Sequence, residues 1–213
     1  MTPVIDHLFA QNEEWARRMV EADPGYFARL VKQQAPKLLW IGCSDARVPA
    51  NTILGLDPGD VFVHRNVANL AIHTDLNYLS VLQFAVDVLG VEDIIVCGHY
   101  GCGGIRAALR SNQLGVIDNW LRHIRDIRDQ HADALAAASD AEEVEDLLVE
   151  ANVLTQVYNV ARAPILQNAW ARGRRVAVHG VAYRLRDGIL HDLGYRVGSI
   201  AEIGEPHRLV PHR

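Results

Sequence analysis

Two apolar runs, Leu38-Leu39-Trp40-Ile41 and Ile94-Ile95-Val96, each end abruptly in glycine and sulfur, at Gly42-Cys43 and Cys97-Gly98. Unbroken apolar runs of this length suit strands buried on both faces, as in a parallel sheet, rather than strands with one wet face. The pattern predicts strands over Lys37–Gly42, Asp60–Arg65 (after an Asp57-Pro58-Gly59 turn), Val91–Cys97 and Arg174–Gly180, and a short fifth over Gly194–Ile200. Between them, apolar positions recur at three- and four-residue steps. They predict helices over Leu76–Leu89, closed by Gly90, over Gly103–Leu109, and around Trp120-Leu121-x-x-Ile124-x-x-Ile127. Ala134–Val149 reads as a solvated helix running into a long one, Glu150–Trp170, kinked at Pro164. Asn66–Thr74 reads as loop, and the chain after Gly204 as a loosely ordered tail. Ahead of the first strand, Leu8, Trp15, Met19, Phe27, Leu30 and Val31 mark two helices separated by Asp23-Pro24-Gly25.

Strand and helix alternate, with a late strand pair, so the expected fold is α/β: a mainly parallel four- to five-stranded sheet flanked by helices, with an N-terminal helical arm. A chain of 213 residues suits one domain. The expected division is an arm over 1–34, a core over 35–200 and a tail over 201–213. A net charge of −5 gives no basic surplus for nucleic acid. No run approaches a membrane span and the first residues carry no secretory pattern, so no membrane partner and a cytoplasmic location are expected.

Chemistry changes the picture most. The P-loop and dinucleotide glycine signatures are absent, since Gly101-Cys102-Gly103-Gly104-Ile105-Arg106 lacks a final glycine. All three cysteines, Cys43, Cys97 and Cys102, lie at expected strand ends, a pattern of metal binding or catalysis before disulfides. With Asp45 and His99 they form a candidate ligand set for zinc, which favours thiolate and imidazole. On an extended strand Cys97 and His99 share a side, so periodicity does not exclude Cys97. Its place directly after an apolar run favours packing. Cys43, His99 and Cys102 remain, with Asp45 as a potential fourth.

Cys43-x-Asp45-x-Arg47 and Cys97-Gly98-His99-Tyr100-Gly101-Cys102-Gly103-Gly104, together with Val61-Phe62-Val63-His64-Arg65-Asn66-Val67-Ala68-Asn69, resemble the β-class carbonic anhydrases over about Leu38–Leu190. The resemblance implies one zinc ion per subunit on Cys43, His99 and Cys102, and reversible hydration of carbon dioxide to bicarbonate and a proton by zinc-bound hydroxide. It also implies a switch: Arg47 holds Asp45 away from zinc in an open state, and Asp45 ligates zinc in a closed one. Two thiolates neutralise the ion formally, so weaker Lewis acidity and a preference for alkaline pH are expected. Trp40, Arg65 and Tyr183 resemble the second, inhibitory bicarbonate site of the regulated, type II subgroup; all three side chains offer hydrogen-bond donors. Two departures bear on regulation. Ala46 stands where serine is common, and Asn51 where a glutamate able to pair with Arg65 is expected. By resemblance the chain forms a homodimer or homotetramer with the arm crossing onto its partner. The histidines His64, His73, His123, His131, His179 and His191, and Tyr100, include candidate proton carriers that sequence does not separate. The alternatives are a structural or redox-sensing zinc domain, and a relative hydrolysing another small electrophile such as carbon disulfide.

Overall fold

The computed structural model describes residues 4–32 and 34–209. The chain divides into two units, residues 1–35 and 36–213. In the first, α1 (Val4–Ala22) and α2 (Tyr26–Lys32) are separated at Asp23, whose carboxylate accepts the Gly25 N–H and holds the turn. Trp15 of α1 meets Tyr26 and Phe27 of α2 edge-on, so the aromatic residues hold the two helices together.

The second unit is built on five strands: β1 (Leu38–Cys43), β2 (Val61–Asn66), β3 (Asp93–His99), β4 (Ala177–Arg184) and β5 (Ile189–Val197). Their spatial order is β2-β1-β3-β4-β5, parallel except for the antiparallel β4–β5 pair. From β1 the chain passes to β2 on one side, then crosses to β3 on the other. The C-terminal ends of β1 and β3 therefore flank the switch point of the sheet, where open α/β sheets bind ligands.

The apolar run of β1 is explained by its surroundings. Leu39 and Ile41 face a core with Tyr78, Leu82, Ile94, Val96, Val153 and Val157, while Trp40 faces the opposite way, packed with Val48, Ala50 and Cys97. The helices are α3 (Ala50–Leu54), α4 (Leu76–Gln83), α5 (Gly103–Leu109), α6 (Ile117–Gln130), α7 (Ala132–Ala136), α8 (Ala141–Arg162) and α9 (Pro164–Ala171). Among the described residues, none is long and apolar enough to cross a membrane. α8 lies close over the sheet: a Cβ on Gly98 would stand 2.6 Å from Val153 Cγ2, and one on Gly180 3.0 Å from Val153 Cγ1.

Several expectations are corrected. The acidic stretch does run into the long helix, as α8, but it starts later than expected, because α7 and α8 are separate helices. Asp140 caps α8 by accepting the Glu143 N–H, and Glu143 reaches back to the Ser139 N–H, a reciprocal cap that starts a new helix. Pro164 opens α9 at its first position instead of kinking α8, because Ala163 is extended (ψ 137°) and a leading proline loses no helical hydrogen bond. Leu76–Leu89 is helical throughout, but α4 widens into a π turn over Phe84–Leu89 before Gly90 closes it. Strand bounds shift: β3 and β4 sit later than expected, ending at His99 and Arg184, and β5 sits earlier, over Ile189–Val197. β5 is the expected fifth strand, but it begins earlier and runs longer, from Ile189 to Val197, as an edge strand paired antiparallel to β4. The short helix α3 was not expected. The tail is tied down as far as it is described: Gln167 donates to His207 O and accepts the Leu209 N–H. Residues 210–213 lie outside the described part.

Candidate metal centre

β1 and β3 deliver Cys43 and His99 side by side, and the turn after β3 returns Cys102 to them at the start of α5. Their ligand atoms lie within 4.8 Å of one another, and all three residues are buried. The two sulfurs are 3.9 Å apart and unbonded. Two thiolates on one tetrahedral zinc, with Zn–S near 2.3 Å, stand about 3.8 Å apart. Both ring nitrogens of His99 are buried without a hydrogen-bond partner. A buried imidazole with neither nitrogen satisfied is costly unless something occupies one of them. The residues thus fit a soft divalent ion such as zinc.

The Cys43 sulfur is prepared as a thiolate. Its pKa is lowered to about 4, first by the hydrogen bond from the Cys102 thiol and then by His99 and the Asp45 and Ala68 backbone, against the opposing effect of burial. With Cys43 charged, a second ionisation beside it is resisted, and the Cys102 thiol is pushed up by that hydrogen bond, by burial and by repulsion. A cation between the sulfurs removes that conflict.

Asp45 sits just outside the cluster, its Oδ2 3.8 Å from His99 Nε2. Arg47 grips it with a fork, Nε to Oδ1 at 2.9 Å and a terminal nitrogen to Oδ2 at 2.7 Å, and adds its backbone N–H. The Arg47 hydrogen bonds hold the Asp45 carboxyl well below the usual carboxylate range despite partial burial.

The remaining predicted residues are distributed as follows. Cys97 is fully buried beside Trp40, its thiol donating to Gly98 O, and burial pushes its pKa up; it is outside the metal cluster. Trp40 is fully buried, with its Nε1 unpartnered and lying directly over Gly42. Tyr183 packs into the same cluster. Arg65 donates to Cys43 O at 2.8 Å and Asp45 O at 2.6 Å, bracing the backbone that carries Cys43 and Asp45. Asn51 donates to Asp57 O. No hydrogen bond among the described residues links Trp40, Arg65 and Tyr183. Tyr100 donates its O–H to Glu150 and lies under Arg184; burial, with Glu150, pushes its phenol up to about 12, which suits a structural donor better than a proton carrier.

Sequence reasoning passed over the turn Val67–Asn69. The Ala68 N–H points at Cys43 Sγ (3.4 Å), and Ala68 (φ 64°) and Asn69 (φ 50°) are the non-glycine residues with left-handed backbone among those described. Each such residue costs about 1–3 kcal/mol, so the surroundings must hold the turn. The available signal was Asn152, Gln156 and Asn159, three amides within the apolar pattern of α8.

A mainly parallel α/β sheet with two thiols and an imidazole converging at its switch point defines a metal-site enzyme fold. The carbonic anhydrase family model matches residues 38–190. A carbonic anhydrase of Emericella nidulans is 43% identical over 205 residues, covering 96% of this chain and 90% of that protein. The structure of a Coccomyxa β-carbonic anhydrase in complex with acetazolamide superposes with a TM-score of 0.90 at 39% identity, covering 94% of this chain and 91% of the other. One of two tetrameric β-carbonic anhydrases from Sordaria macrospora gives 0.86 at 38%, covering 91% and 98%. The chain belongs to the β-class carbonic anhydrases.

Proposed function

We propose that the chain is a zinc enzyme that converts carbon dioxide and water reversibly to bicarbonate and a proton. The observation that carries this is the buried Cys43–His99–Cys102 cluster, with both His99 nitrogens unpartnered, beside an Arg47-held Asp45. Two thiolates and one imidazole are a donor set that zinc favours, leaving a fourth position for water. Bound zinc would make water acidic enough to act as a nucleophile near neutral pH.

Asp45 is an acceptor at neutral pH and can take only a hydrogen bond from the attacking water. Arg47 aims it, so the lone pair opposite that hydrogen bond is directed at the carbon dioxide carbon. The same carboxylate can leave Arg47 and take the fourth position on the ion, closing the site; Arg47 and the ion compete for it. Asp45→Ala should lower turnover by about 10²-fold or more while metal analysis still finds one zinc per chain. An unimpaired variant overturns the role of Asp45.

Trp40, Arg65 and Tyr183 are read as an inhibitory bicarbonate site. The unpartnered Trp40 N–H in a cluster shared with Tyr183 supports that reading, and inhibition unaffected by Tyr183→Phe would remove it. A homodimer or homotetramer with the arm lying on a partner subunit is supported by exposed Ile5, Leu8, Phe9 and Val20 on α1, and by the tetrameric assembly named for the Sordaria relatives. A reducing, cytoplasmic setting fits three free cysteines.

A further inference from the structure

A turn with left-handed backbone at Ala68 and Asn69 lies against the Cys43 sulfur. Val67–Asn69 follows β2 and passes between the two thiol-bearing segments: Ala68 N–H meets Cys43 Sγ on one side, and on the other a Cβ at Gly104 would stand 3.1 Å from Ala68 Cβ and 3.0 Å from Val67 Cγ1. Each peptide of this stretch is tied from outside. Ser44 N–H donates to Asn66 O, Trp120 Nε1 to Val67 O at 2.8 Å, and Asn152 Nδ2 to Ala68 O at 3.0 Å.

Asn152 is itself held. Gln156 Nε2 donates to Asn152 Oδ1 (3.0 Å), while Gln156 Oε1 accepts the Ala71 N–H (2.9 Å) and Asn159 Nδ2 (3.0 Å). Asn152 and Gln156 are almost completely buried, at 1% and 2% exposure. The three amides lie four and three residues apart on α8, so they line one helix face as a directed chain ending at the Ala68 carbonyl. An alanine freed of that tie returns to the right-handed region, where its Cβ is unstrained. Its N–H then swings off the sulfur.

We propose that Asn152, backed by Gln156, is a positioning residue for Cys43. It holds Ala68 in the left-handed conformation that keeps an N–H on the Cys43 sulfur, and so limits how strongly that sulfur donates to the bound ion. Outer groups that orient and hydrogen-bond metal ligands typically change metal affinity about 10–100-fold when removed. The inference rests on reading Cys43 as a metal ligand.

The test uses the full chain with cobalt(II) in place of zinc, because the sulfur-to-cobalt charge-transfer band in the near ultraviolet reports sulfur donor strength directly. Asn152→Ala should move that band to longer wavelength, since a sulfur freed of the N–H donates more strongly. Adding Ala68→Gly to Asn152→Ala should move the band back toward its original position, since glycine holds φ near 64° without strain. If Asn152→Ala does not fold, Trp120→Phe, which removes only the donor to Val67 O, should shift the band in the same direction by less. A band unchanged in whichever of these variants folds overturns the inference while leaving the metal centre intact. A wild-type chain that takes up no cobalt, or shows no sulfur charge-transfer band, overturns the metal reading and this inference with it.

Discussion

Asp45, His99 and His64 illustrate how single residues were set by their partners. His99 has no hydrogen-bond partner at either nitrogen, which supports the proposal that it holds a metal, whereas His64 is buried with Asn66 Nδ2 donating to its Nε2 at 3.1 Å. That bond requires an unprotonated Nε2, and burial lowers the His64 pKa from 6.5 against the opposing pull of Asp75. The unfolded chain therefore binds more protons than the fold between the lowered value and 6.5. Stability contributed by neutral His64 is fully present above 6.5 and is lost as pH falls through the lowered value. His64→Gln should flatten the dependence of unfolding free energy on pH in that window, measured by urea unfolding from pH 5 to 7.5. An unchanged slope would show that His64 is not the group responsible.

At the scale of elements, the unbroken apolar runs announced β1 and β3 because both strands are buried in a parallel sheet, and the Cys43 and His99-x-x-Cys102 spacings announced the centre because their residue types have few other uses together. Other features were not legible. The start of β5 lies at Ile189-Leu190-His191-Asp192, before the regular alternation from Leu193 to Val197, and the α7–α8 break depends on a cap formed by Ser139, Asp140 and Glu143 rather than on proline or glycine. The Val67–Asn69 turn was hidden because its contacts come from α6 and α8, far along the chain. Gly98 shows how closely α8 approaches β3: a Cβ there would meet Val153 and Val149. Gly98→Ala should cost about 1–3 kcal/mol by overpacking. A variant with unchanged denaturant midpoint would show that α8 yields freely at this point.

For the whole molecule, the metal site joins segments from opposite sides of the switch point, Cys43 and Cys102 being 59 residues apart. An ion bound there couples β1, β3 and α5. Such an ion would stabilise the fold by mass action, by about 4 kcal/mol at a thousandfold excess over Kd. Removing it with a chelator should lower Tm by about 10 °C, at roughly 2–4 °C per kcal/mol for a chain of this size, and restoring zinc should reverse the change. A Tm indifferent to zinc would mean that the cluster does not hold the ion in the folded protein.

The central claim is that this sheet, with this Cys–His–Cys cluster and its Arg47-held carboxylate, catalyses the hydration of carbon dioxide. Stopped-flow measurement of carbon dioxide hydration by the purified zinc-loaded protein from pH 6 to pH 9 tests it most directly. Turnover far above the uncatalysed rate and rising with pH is the expected result. A protein with one zinc per chain and no rate above background at any pH would contradict the account and assign the centre a purely structural role.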